Sequence, residues 1–112
     1  MSKRYGTVVI DERAEPGTAT VRVSLEDARI ADASSVRLAE TVLRGVEVVP
    51  GARIPFVIEA DDVPAGITVR AHVDYSGDRE LAVGDQFSTI SIPADVLGDS
   101  ADTAGEVPVA RI

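Results

Sequence analysis

The chain has 112 residues and a formal net charge of −8 at pH 7. This length is enough for one domain with one core, so we treat residues 1–112 as a single domain. The acidic excess argues against binding to nucleic acid or to an anionic membrane surface, because both need clustered lysine and arginine. The lack of cysteine excludes disulfides, zinc–thiolate sites, iron–sulfur clusters and a thiol nucleophile.

The composition also bears on the core and on location. The chain is 45% hydrophobic but only 4% aromatic, so the core must be largely aliphatic. The sequence shows no apolar run of signal-peptide type, no transmembrane span and no cysteine for lipid attachment. This favours a cytoplasmic protein for the sequence as given, or a cell-envelope protein if the sequence is part of a longer chain. We expect no direct insertion into a membrane.

Two candidate strands open the chain. Residues 5–11 form the first, and a charged turn that ends in Pro-Gly follows it. Residues 18–28 form the second, in which Val21, Val23 and Leu25 alternate with polar side chains. Alternation with a period of two is typical of a half-buried strand, because successive side chains point to opposite faces.

The next segment is ambiguous. Residues 36–43 fit a strand, but they also fit a short helix with Ser34 or Ser35 as its N-cap and Gly45 beyond its end. The strands on both sides favour the strand. A short extended bridge over residues 46–50 is expected to follow.

The central stretch carries the clearest periodic pattern. Residues 54–59 alternate apolar and other side chains, with Ile54, Phe56 and Ile58 on one face. Residues 67–75 place five apolar side chains at alternate positions and a polar face opposite, formed by Thr68, Arg70, His72 and Asp74. Ser76, Gly77 and Asp78 then predict a hairpin turn.

Beyond this turn the pattern weakens. Residues 80–83 are expected to pair back across Gly77, and Gly84 and Asp85 indicate a second turn or a bulge.

The C-terminal part contains two further candidate strands. Residues 86–92 form one, which Pro93 is expected to stop, and residues 94–105 form a polar loop rich in small residues. Residues 106–112 form the last strand, and Pro108 indicates an edge position because proline cannot donate to a ladder.

These elements predict an all-β fold: a single antiparallel β-sandwich, Ig-like in style, of about seven or eight short strands. No alternation of strands and helices supports a parallel sheet.

The order and spacing of several short motifs resemble the YbaY/YscW-type lipoprotein domain, which occurs in bacterial envelope lipoproteins and in the pilotins of type III secretion systems. The likeness covers most of the chain. It rests on Gly6-Thr7-Val8, residues 25–36, 39–41, 54–56 and 69–74, Gly77, Leu81 and Asp85-Gln86. The resemblance implies a small pilotin-like β-sandwich and, for some members, a chaperone role towards an outer-membrane secretin. It implies no catalytic residues.

His72 is the only histidine. In the strand interpretation it lies on the polar face and is expected to be exposed to solvent. A histidine base needs a nucleophile within reach, and none of Ser24, Ser88 and Ser91 has the surroundings of a nucleophile elbow.

An acidic stretch after the central strands offers a candidate calcium site. Calcium prefers clustered carboxylate and carbonyl oxygens at alternate loop positions. The candidate ligands are Asp74, Ser76, Asp78, Glu80 and Asp85. The alternative is a hairpin turn that is rich in glycine, aspartate and serine for conformational reasons.

A second acidic group, Glu59 with Asp61 and Asp62, is better explained as a solvated turn than as a catalytic carboxylate pair, because no tryptophan offers a platform for sugar.

The sequence therefore predicts a non-enzymatic β-sandwich without a cofactor. It is expected to act as an interaction module, which binds a protein partner or a second copy through an exposed edge strand. The alternative is a domain that binds calcium or a small molecule through residues 74–85.

Overall fold

The structure is a computed structural model that describes residues 3–27, 36–60, 66–77, 85–88 and 92–111. Nine strands lie in these residues. In chain order they are β1 (Lys3–Val9), β2 (Gly17–Asp27), β3 (Val36–Val48), β4 (Arg53–Glu59), β5 (Ile67–Asp74), β6 (Gln86–Phe87), β7 (Ile92–Pro93), β8 (Gly105–Pro108) and β9 (Ala110–Arg111).

The strands form two sheets. A three-stranded sheet has the order β4-β1-β8, and a six-stranded sheet has the order β3-β2-β5-β6-β9, with β7 also paired to β5. The two sheets pack face to face, which confirms the predicted β-sandwich. Two short 3₁₀ turns, Ala94–Val96 and Ala101–Thr103, interrupt the segment that was predicted as a loop.

The core follows from the alternation in the strands. β4 has strictly alternating buried and exposed residues, and its buried side chains face those of the six-stranded sheet. The largest aliphatic contribution comes from β2 and β5, which pair along eight residues. Their inward side chains are fully or almost fully buried: Val21, Val23, Leu25, Ile67, Val69, Ala71 and Val73. Burial of each valine, leucine or isoleucine side chain contributes about 1.5–3 kcal/mol.

The ambiguous segment is part of β3, a strand of 13 residues, so the strand interpretation is correct. The predicted bridge over residues 46–50 is not separate, because β3 continues to Val48. The strand passes Gly45 through a bulge: Arg44 and Gly45 together oppose one residue of β2, between the pairs Val21↔Leu43 and Ala19↔Val46. Gly45 has a φ of 65°, a left-handed conformation that glycine adopts without steric cost.

The C-terminal segment departs from the prediction in two ways. β8 runs parallel to β1, so the sandwich is not wholly antiparallel. The predicted last strand is also divided, because the chain leaves the three-stranded sheet at Val109 and pairs with β6 as β9. The chain must therefore cross from the three-stranded to the six-stranded sheet between β8 and β9. Pro108 lies on β8, which is an edge strand within the described residues.

The predicted strand over residues 86–92 is two short strands, β6 and β7. Both pair with β5, and Pro93 lies within β7 instead of stopping the strand before it. The expected pairing of residues 80–83, and the turn at Gly84, fall outside the described residues.

Asp11 joins the end of β1 to the six-stranded sheet. Its carboxylate accepts backbone hydrogen bonds from Arg13, at 2.9 Å, and from Arg111 on β9, at 2.8 Å. Its own backbone N–H donates to Oε1 of Gln86, whose side chain is fully buried. Gln86 donates in turn to the phenol oxygen of Tyr75, and burial raises the pKa of that phenol. This chain of bonds holds one end of the sandwich together.

Gly6 is a position where packing demands glycine. A Cβ atom there would collide with the ring of Phe56 and with Leu97. We expect Gly6→Ala to lower the free energy of unfolding by about 1–3 kcal/mol, the usual cost of overpacking. Thr7→Ala, at the adjacent outward position of β1, is the matched control and should cost about 1 kcal/mol or less. Chemical denaturation measures both; equal losses would contradict the packing argument.

Asp11 should make stability depend on pH. The backbone N–H groups of Arg111 and Arg13 lower its pKa from 3.8 to about 2. A carboxyl whose pKa is lowered in the folded state stabilises that state above its unfolded pKa, and this contribution disappears as the pH falls through the folded pKa. Above pH 4, the urea midpoint of unfolding should therefore be higher for the wild-type protein than for Asp11→Asn. This difference should shrink as the pH falls towards 2. A gap that is constant across this range would contradict the assignment.

Candidate functional site

Two regions of the molecule are candidate sites: a buried polar cluster on the outer face of the six-stranded sheet, and an apolar groove beside β4. The polar cluster contains the histidine and two of the predicted calcium ligands, Asp74 and Asp85. The groove was not predicted from the sequence.

His72 is buried, so the expectation of a solvent-exposed histidine is wrong. It does lie on the outward face of β5, as the alternation predicted, but β6 pairs beside it and Phe87 stands directly opposite. The two rings meet edge to face with centroids 5.9 Å apart. The Nε2 atom of His72 lies 2.9 Å from Oδ2 of Asp85, and both residues are more than nine-tenths buried.

Asp74 shapes the turn that follows β5. Its Oδ1 atom accepts hydrogen bonds from Oγ of Ser76, at 3.0 Å, and from the backbone N–H of Gly77, at 2.9 Å. Gly77 has a φ of 75°, which suits glycine at this tight position. Arg22 lies against the same carboxylate, with Nε 3.5 Å from Oδ2 of Asp74, and also donates to the carbonyl oxygen of Gly77. Asp74 thus stabilises the bend at Ser76 and Gly77; Asp78, the last residue of the predicted hairpin turn, lies outside the described residues.

The predicted calcium ligands are placed as follows. Asp74 and Asp85 converge, and ligand atoms from these two residues and from His72 all lie within 4.8 Å of one another. Ser76 contacts Asp74 through its hydroxyl group. Asp78 and Glu80 lie outside the described residues. The calcium site therefore stays a prediction, and the described part adds an imidazole nitrogen that the sequence did not suggest as a ligand.

Charged side chains line a cavity of about 260 Å³ on this same outer face. Arg37 pairs with Glu40, at 3.4 Å, and Arg70 lies 3.9 Å from Glu26. Ser24 donates to Glu26, at 2.8 Å, and the guanidinium group of Arg70 lies over the Phe87 ring at 5.8 Å. The side chains here bind one another, which is the pattern of a structural network.

In the part of the chain that the structure describes, the cluster does not place a serine nucleophile against the histidine. Ser24 donates to Glu26, and Ser88 accepts the backbone N–H of Ala71, at 3.1 Å. Within the described residues, no hydrogen bond joins His72 to a serine; Ser91 lies outside them.

The apolar groove lies across the paired strands β1 and β4 and has a volume of about 460 Å³. We define it by residues 5–7, residues 55–57, Leu43, Ala101 and Ala104. Tyr5 stands opposite Val57 and Thr7 opposite Pro55, so these outward side chains form one surface. Val57 is 39% exposed, and the buried Phe56 lines the groove from the side of the core. The sequence did carry a signal for it, because Pro55 and Val57 are apolar on the outward face of β4.

A second cavity, of about 630 Å³, adjoins the groove and shares Tyr5 and Val57 with it. Its other lining residues are polar: Lys3, Glu40, Thr41 and Glu59. The groove therefore has an apolar part and a neighbouring part that carries two carboxylates and one ammonium group.

The groove and its adjoining cavity lie at the flank where the two sheets differ in width. Ala39 and Leu43 stand opposite the fully buried Leu25 and Val21, yet they are only half-buried. The inner face of β3 is thus covered less well than that of its neighbour. Within the described part of the chain, β3 pairs only with β2, and β4 pairs only with β1. Among the described strands, two edges are therefore open on this flank.

Comparison with known proteins supports the fold. No protein-family model and no curated protein matches the chain. Among solved structures, the chain is similar to an alternative pilotin from the type II secretion system of Vibrio cholerae, with 21% identity over 96% of this chain and 94% of that chain and a TM-score of 0.57. At this identity the likeness shows the fold alone. The pilotin-like sandwich is confirmed, whereas the YbaY/YscW-type relationship stays a prediction. No helix in the described residues is long and apolar enough to cross a membrane.

Proposed function

We propose that the protein is a non-enzymatic interaction module that holds a short segment of a partner protein in the apolar groove. The observation that carries this proposal is the groove itself: outward strand positions that normally bear polar side chains here form a concave apolar surface. Concave apolar sites with a few polar groups at the margin are the usual form of binding sites.

The charges near the groove favour a particular kind of segment. The adjoining cavity is lined by the carboxylates of Glu40 and Glu59 and by the ammonium group of Lys3. Glu40 also pairs with Arg37, and the whole chain has a net charge of −8. A segment with two or three apolar residues followed by lysine or arginine would complement both parts, because its basic end would lie near the two carboxylates. Electrostatic complementarity of this kind mainly raises the association rate and the specificity.

The fold supports the choice of partner class. The similar structure is described as a pilotin from a secretion system, so a secretion component is the first partner to test. A relationship to the YbaY/YscW-type domains would agree with a chaperone-like role, in which the groove shields an apolar segment of a secretin until that segment is assembled.

The proposal predicts that Val57→Lys abolishes binding to the groove, because it places a charge on the apolar surface. A displayed library of random peptides is selected on the wild-type protein, and the affinity of a selected peptide is then measured on each variant. We expect apolar–basic sequences to be enriched and their dissociation constant to rise about tenfold or more in Val57→Lys.

The matched control is Val49→Lys. Val49 is 51% exposed and lies in the turn after β3, outside the groove, so this variant should bind the peptide as the wild-type protein does. Equal losses in the two variants, or selection of acidic peptides, would refute the proposed site.

A second candidate function is divalent-cation binding by Asp74 and Asp85 together with His72, because their ligand atoms converge. Carboxylates suit calcium, whereas the imidazole suits zinc. A ligand that binds only the folded state raises the melting temperature. We expect calcium or zinc to raise it in the wild-type protein and in Asp95→Asn, which alters an exposed carboxylate, but not in Asp85→Asn. No shift with either ion would remove this candidate.

A further inference from the structure

The charged residues of β3 have a symmetric arrangement. Arg37 and Glu47 lie five positions on either side of Val42, and Glu40 and Arg44 lie two positions on either side. In each pair the two charges have opposite signs. These four residues are all the charged residues of the strand.

All four side chains also belong to one face of the sheet. Arg37, Glu40 and Glu47 stand opposite Glu26, Ser24 and Thr18 of β2, which alternate with the buried Val21, Val23 and Leu25. Arg44 lies in the bulge opposite Thr20, on the same side. Val42, at the centre, stands opposite Arg22. The outward face of β3 therefore presents a self-complementary row.

We propose that β3 pairs antiparallel with β3 of a second copy of this chain, about a two-fold axis that passes through Val42. In this register Glu40 meets Arg44 of the second copy and Arg37 meets Glu47 of the second copy, and both contacts occur twice. A two-fold interface requires self-complementarity of this kind. Cross-strand pairs of opposite charge stabilise a ladder, whereas like charges destabilise it.

Alternative registers lack this complementarity. A parallel, in-register pairing would place each charge opposite its like. An antiparallel pairing centred on Thr41 or on Leu43 would place every charge opposite an uncharged residue. The charge pattern therefore selects both the direction of the pairing and its register.

The two bulges of β3 are compatible with the same symmetry. Leu38 is the extra residue on one side of Val42, and the bulge at Arg44 and Gly45 contributes the extra residue on the other side. In the two-fold pair, each half of the ladder has one extra residue in each strand. The register that is lost at one bulge is regained at the other, so Arg37 and Glu47 of the second copy can still meet.

The edge is also suited to a partner strand. It is open within the described residues, and Thr41 and Leu43 on its inner face are only half-buried. Leu38 is 47% exposed. Charged side chains on an edge strand normally prevent pairing with other copies. On β3 the charges do not prevent pairing in the proposed register, because there each charged residue faces a residue of opposite charge in the second copy.

Charge reversal tests the pairing. The association of the wild-type protein is measured by sedimentation equilibrium over micromolar to millimolar concentrations at low salt. We expect a reversible dimer. Glu40→Arg and Arg44→Glu should each raise the dimer dissociation constant by about tenfold or more, because each places like charges in contact. The double variant that carries both substitutions should recover dimerisation.

A mixture of the two single variants gives the sharpest result. A Glu40→Arg chain presents two arginines at these positions and an Arg44→Glu chain presents two glutamates, so the mixture should form a heterodimer that neither variant forms as a homodimer. Circular dichroism and melting curves of each variant verify folding. Arg44 is exposed, so its substitution is expected to change stability little, whereas Glu40 is half-buried and pairs with Arg37, so the melting curve of Glu40→Arg is the essential control.

Three results would overturn the inference: a wild-type protein that is monomeric at all concentrations, a dimer that neither single reversal weakens, or a mixture of folded single variants that does not associate. The inference does not rest on the proposed function. Glu40 lines the charged cavity beside the groove, whereas Arg44 lines neither the cavity nor the groove, so Arg44→Glu tests the pairing of β3 without altering the proposed peptide site.

Discussion

The structure depends on the pairing of β2 with a strand on each side. β2 pairs with β3 along one edge and with β5 along the other, and three of its inward side chains have no exposed surface at all. With two phenylalanines and no tryptophan in the chain, the hydrophobic free energy must come from many aliphatic side chains stacked on such central strands. The shorter strands β6, β7 and β9 can pair only because this centre is in place.

The outer face of the same sheet is polar yet largely buried. Arg22, Asp74, His72 and Asp85 are each at least nine-tenths buried, and each has a charged or polar partner. An isolated charge in such a place would cost several kcal/mol, so the partners are necessary for the fold. We therefore assign the main role of this cluster to holding the turn after β5 and the start of β6, and cation binding remains a second candidate.

The unequal width of the two sheets gives this sandwich its open flank. In the described ranges a six-stranded sheet faces a three-stranded one, so β3 is incompletely covered there and the edges of β3 and β4 lie on one flank. The apolar groove and the symmetric charges of β3 both occur there. This position suits an interaction module, because a partner can add burial or strand pairing at the flank without disturbing the centre of the sandwich.

The sequence by itself determined the local properties of the long central strands: that they are extended, which of their faces is apolar, and hence the all-β class. Alternation along 18–28, 54–59 and 67–75 reports these directly, because it depends only on neighbouring residues. Tertiary structure alone decided the rest. The parallel pairing of β8 with β1, the burial of His72 under Phe87 and the convergence of Asp74 with Asp85 all join residues far apart in the chain. A period of two identifies the face of a side chain, but not the strand that will cover it.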